Sequence, residues 1–114
     1  MTEKLIDPQA AVDFMIAKSK AYAQAEANKV YMEELRKTIK AEEMIEAEMM
    51  GHKTAAMQER EAYASFRYKD HLRALQQAVE VREELRWMLI AAQARIEVWR
   101  SQEASNRAEG KTTI

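Results

Sequence analysis

The chain has 114 residues, with 18 Lys+Arg against 19 Asp+Glu, no cysteine, one proline and two glycines. The length allows one domain of ordinary size, and apolar and charged fractions of 47% and 32% suit a folded chain rather than a disordered one. Having no cysteine excludes disulfides, zinc ribbons, iron–sulfur clusters and thiol catalysis, and a net charge of -1 gives no global reason to expect nucleic-acid binding.

The start of the chain, MTEKLIDPQAA, lacks the long apolar run of a signal peptide. The longest stretch without a charge, residues 87–94, is far short of the roughly 20 residues that cross a bilayer. No membrane partner and a cytoplasmic location are expected. Alanine, glutamate, arginine, lysine, methionine and glutamine dominate, and these lose least on entering a helix. No segment alternates with period 2, so no strands are expected.

Asp7 before Pro8 marks a helix start: aspartate caps free backbone N–H groups, and proline is tolerated at the first helical position. The first helix is predicted over 8–50, ended by Gly51 in MMGHKT. Its apolar spacing reads Val12, Ile16, Ser19, Ala23, Ala27 and Val30, then Met32, Leu35, Ile39, Met44/Ile45 and Met49. The stripe changes register near residues 30–32, which predicts curvature or a change of partner there. Thr54 caps a short helix over 54–63. Ser65 caps a last helix over 66–106, with the stripe Leu72, Leu75, Ala78/Val79, Val81, Leu85, Met88/Leu89, Ala92, Ile96 and Trp99. Gly110 is expected to end the helical signal, leaving 107–114 as a frayed tail.

The expected fold is all-α: an antiparallel long-helix hairpin with a short connecting helix, forming one helical domain. A helix of about 40 residues is about 60 Å long, too long for a compact globule with a radius of gyration of about 13 Å. In a two-helix hairpin each long helix has one neighbour. Tyr22, Tyr31, Met32, Met44, Met50 and Trp87 lie beyond a single seam, so two hairpins are expected to pair as a homodimeric four-helix bundle with coiled-coil packing.

Three clusters are candidate sites. Glu42, Glu43, Glu46 and Glu48 crowd the end of the first helix, where negative charge opposes the macrodipole. Di-iron bundles need paired Glu-x-x-His motifs, and neither His52 nor His71 follows a glutamate by three residues. The cluster therefore reads as an acidic partner surface or a solvated face, and no metal or other cofactor is expected. The junction 60–73 interleaves Tyr63, Phe66 and Tyr68 with Arg60, Arg67, Lys69, His71 and Arg73, supplying the stacking faces and cations that single-strand binding requires. The plainer reading closes the end of the hairpin with the aromatics and solvates the charges. On the last helix Arg86 and Trp87 lie among balanced arginines and glutamates. Arg95 and Trp99, four residues apart, are placed to stack. Trp99 falls on the apolar stripe and reads as core, whereas Trp87 falls off it and reads as an interface residue. No nucleophile has a histidine partner at a catalytic spacing and no glycine-rich phosphate loop occurs, so no catalytic residues and no enzymatic activity are expected.

Tyr31, Glu33/Glu34, Arg36 and Lys37, with the Ala-Ala-Gln-x-Arg-Ile-x-x-Trp-Arg run at 91–100, resemble small all-helical proteins of bacteriophages and prophages. The likeness covers about residues 20–110. It implies the cytoplasm of a bacterial host and an accessory role near phage DNA recombination or replication, and it transfers no catalytic residue. Three functions follow as expectations. The first is a non-enzymatic interaction protein that docks onto DNA or a DNA-bound protein through the junction and the Arg86/Trp87 face. The second is an inhibitor of a host nuclease or defence complex whose acidic patch imitates DNA. The third is a structural assembly subunit.

Overall fold

The computed structural model describes residues 5–112 and contains three helices: α1 (Pro8–Met49), α2 (Ala55–Ala64) and α3 (Phe66–Thr112). No strand occurs among the described residues. The two long helices pack together with the short one between them in sequence, as an all-helical hairpin. The expected start and stop residues set the helix ends. Asp7 Oδ1 accepts from the Ala10 N–H at 3.1 Å, and Thr54 Oγ1 accepts from the Met57 N–H at 3.2 Å. The Ser65 hydroxyl donates to the Ala62 carbonyl and accepts from the Tyr68 N–H, so one side chain closes α2 and opens α3. Gly51, at φ 104°, ends α1. The His52 N–H reaches the Ala47 carbonyl and the Gly51 N–H reaches the Glu48 carbonyl, the paired bonds of a left-handed helix stop. Gly110 does not act this way: α3 runs past the expected end near 106 to Thr112. Glycine ends a helix through a positive φ, and among the described residues only Gly51 has one. The last two residues of the expected tail lie outside the described residues.

The chain divides into two compact units. One joins residues 5–22 to residues 84–112. Its inward positions are Ala11, Phe14, Met15, Lys18 and Tyr22 on α1, and Leu85, Leu89, Ala92, Ile96 and Trp99 on α3. The other is Ala23–Glu83, in which Ala25, Met32, Leu35, Ile39 and Ala47 of α1 turn inward with Ala62 of α2 and Tyr68, His71, Leu75, Ala78 and Arg82 of α3. Along α3 the inward positions step by three and four from residue 68 to residue 99, the heptad spacing of a coiled-coil seam.

The inward face of the first half of α1 is not the stripe read from the sequence. Ile16 is 69% exposed and Val30 46%, and Val12, Ser19, Ala23 and Ala27 are also outside. The true seam is displaced by one residue and contains Lys18 and Lys29, both half-buried. A lysine lays its aliphatic stem along apolar surface and keeps its ammonium in water, so a seam position can be charged. Once the lysines are admitted, Ala11, Lys18, Ala25, Met32 and Ile39 recur every seven residues, and the seam keeps its register through residues 30–32. Tyr22, Met32 and Met44 are half-buried rather than outside the seam; Tyr31, Met50 and Trp87 are exposed.

The most completely buried positions of the core hold small residues, while its larger inward side chains stay half-buried. Its buried apolar members are Ala11, Ala25, Ile39, Ala47, Ala62, Ala78 and Ala92, with Ile39 the one large side chain among them. Alanine lets helix backbones approach closely but removes little apolar area from water.

Candidate interaction surfaces

In the unit Ala23–Glu83 the return of α3 along α1 sets residue 67 opposite residue 42. Arg67 Nη1 donates to Glu42 Oε2 at 2.6 Å. The acidic patch and the cationic junction, read separately in the sequence, therefore meet and partly neutralise each other. Of the remaining acidic residues Glu43 is half-buried, and Glu46 and Glu48 are exposed.

The aromatics of the junction divide between packing and exposure. Tyr63 and Tyr68 meet edge to face, centroids 5.2 Å apart. Lys40 places its ammonium 4.7 Å from the Tyr63 ring centre and 3.5 Å from Glu59, tying α1 to α2. The hydrogen bond with the Tyr63 side chain is the largest influence on the Lys40 ammonium; burial opposes it, the nearby Glu59 carboxylate adds to it, and together they hold the ammonium above its ordinary pKa of 10.5. Phe66, by contrast, is 76% exposed. Arg60, Lys69 and Arg73 are exposed as well. His71 does not belong with these cations: it is buried, and its Nε2 lies 2.7 Å from the Met32 carbonyl. A ring nitrogen at that distance from a carbonyl oxygen is its donor, which fixes the tautomer.

Arg82, one of the arginines that the sequence gathers on the last helix, engages two carboxylates. Its Nε donates to Glu26 across the helix pair and its Nη1 to the adjacent Glu83, with the side chain 20% exposed. The pairing of residues 26 and 82 was not visible without the register of the hairpin.

In the unit of residues 5–22 and 84–112, Trp99 is half-buried on the seam and Trp87 is 60% exposed, as their positions relative to the stripe predicted. The guanidinium over an indole is that of Arg86 on Trp87, 5.2 Å from the ring centre, rather than Arg95 on Trp99. Ile90 and Val98 are 41% and 48% exposed on the same helix. Among the described residues no group of three or more His, Cys, Asp or Glu side chains is placed to hold a metal ion. No helix is long and apolar enough to cross a membrane among the described residues.

No family, curated protein or solved structure matches the chain.

Proposed function

We propose that this chain is a non-enzymatic helical interaction protein whose working form is a homodimer. The observation that carries the reading is an inversion of size between inside and outside. Six of the seven buried apolar residues are alanines, while Ile16, Tyr31, Phe66 and Trp87 are all more than 60% exposed or at that value. Large apolar side chains left in water forfeit about 1.5–3 kcal/mol each relative to full burial, and a second copy is the partner always present at matching concentration. The expected outcome in sedimentation equilibrium of the full chain is a mass twice 13.2 kDa at micromolar concentration. A helical monomer across that range would refute the reading.

One observation favours a second reading, an accessory factor that docks on nucleic acid. Phe66 is 76% exposed, and Arg60, Lys69 and Arg73, close to it in sequence, are exposed too, which puts a stacking face and cations on one stretch of chain. Binding to single-stranded DNA that falls steeply with salt, and that is lost in Phe66→Ala, supports it. The DNA-mimic reading has less support, because Glu42 of the acidic patch already holds Arg67.

A further inference from the structure

We infer that the outer face of α1 at its C-terminal end docks a basic amphipathic helix of another protein. The face is formed by Ala41, Ile45 and Met49, with Met50 in the turn that follows. The inference is separate from the homodimer reading and survives its failure. Ile45 is 58% exposed, Met49 78% and Met50 75%, and Ala41 is exposed too. Steps of four place Ala41, Ile45 and Met49 one above the other on a single side of the helix. Ala47, two residues beyond Ile45 and so on the far side of the helix, is the one that turns inward. An exposed apolar stripe of this kind, rimmed by polar residues, marks a contact with another molecule.

The rim of that stripe is acidic. Glu42 and Glu48 stand three residues either side of Ile45, and Glu46 stands three before Met49, so each is a surface neighbour of the stripe. Residues 41–50 hold four glutamates and no basic residue. Two nearby bases are already engaged, Arg67 by Glu42 and Lys40 by Glu59 and Tyr63. Glu46 and Glu48 are exposed, and no described base pairs with either. Both oppose the stability of the free helix. Its last carbonyls leave partial negative charge at this end, and α1 has no basic residue in its last turn to offset it. Local departures from the rules of helix stability concentrate at functional surfaces.

Charge complementarity selects the occupant. A second copy laid face to face presents the same acids and sets like charges opposite each other. Nucleic acid is repelled for the same reason. A metal ion or polyamine answers the carboxylates but leaves Ile45, Met49 and Met50 in water. Among the described residues, moreover, no group of three or more His, Cys, Asp or Glu is placed to hold an ion. A helix whose lysines and arginines flank an apolar stripe answers both features. Its apolar residues, at steps of three and four, lie along Ala41, Ile45 and Met49, and its cations reach Glu46 and Glu48. Methionine suits such a contact because its unbranched, polarisable side chain adapts to the shape it meets.

The test uses the full-length chain and a fluorescent leucine–lysine peptide of about 15 residues, long enough to form a helix on binding. Its leucines are set at helical spacing, and binding is read by anisotropy. A peptide of the same composition, with its leucines scrambled off that spacing, controls for charge alone. Saturable binding of the amphipathic peptide alone is expected. Glu46→Gln/Glu48→Gln and Met49→Ser are each expected to weaken it at least about fivefold, and Phe66→Ala to leave it unchanged. These positions are exposed, so the variants keep their helix content, which circular dichroism checks. Absence of binding, equal binding of the scrambled peptide, or binding indifferent to Glu46→Gln/Glu48→Gln or to Met49→Ser overturns the inference. None of these outcomes bears on the homodimer, which sedimentation of the wild type alone decides.

Discussion

Ile39 is the one large apolar side chain among the most completely buried residues, at 5% exposure, and Ile39→Ala is the most direct test of the seam. The substitution deletes three carbons. At about 0.8 kcal/mol per buried methylene the transfer loss is about 2.4 kcal/mol, and the unfilled cavity brings the expected cost to about 3–4 kcal/mol, inside the range for such truncations. The control is Ile16→Ala on the same helix, where the side chain is 69% exposed. Its transfer loss is under about 1 kcal/mol, and the gain in helix propensity offsets part of it. Both variants are compared at one protein concentration, so that any self-association enters each measurement equally. Urea unfolding followed by helical circular dichroism is the assay. The expected result is a large fall in midpoint for Ile39→Ala at constant m-value and a small change for Ile16→Ala. Equal losses would refute the displaced seam and restore the stripe through Val12 and Ile16.

Ala62 is the fully buried residue of α2, so Ala62→Leu overpacks its contact and is expected to cost about 1–3 kcal/mol, read as faster amide exchange in α2 than in α3. Gly51→Ala meets no neighbouring atom but must hold φ +104°; a loss of about 1–2 kcal/mol in thermal or urea unfolding is expected from the backbone alone. Arg67→Ala removes an ion pair whose partners are each about half exposed (51% and 49%), so a loss no greater than about 1 kcal/mol is expected, shrinking as salt is added. Lys40 has a raised pKa in the folded chain. Its stabilising effect is therefore complete below the ordinary value of 10.5 and is lost as pH rises through the folded value. Lys40→Met is expected to flatten the alkaline fall of the urea midpoint between pH 9 and 12, and an unchanged pH profile would overturn that role.

The helices were legible in the sequence because their boundaries rest on local chemistry. Asp7, Thr54 and Ser65 each cap the helix that follows, and Gly51 takes the positive φ that a left-handed stop requires. The seam was harder to see, because apolar spacing identifies a buried face only when buried positions are apolar. Lys18 and Lys29 occupy seam positions with their stems, and His71 occupies another by donating to the Met32 carbonyl. A pattern search that rejects charged residues slides by one position and lands on Val12, Ile16 and Val30, which face outward.

The same reasoning explains why the candidate surfaces were only half legible. Composition placed cations and aromatics in residues 60–73 and acids in 42–48. Whether they act outward or on each other depends on which residues the hairpin sets opposite, and that register is a long-range property. It consumes Arg67 on Glu42 and Lys40 on Glu59 and Tyr63, and leaves Phe66 exposed. Trp87 needed no such information, because its distance from the α3 stripe is fixed by the helix repeat alone.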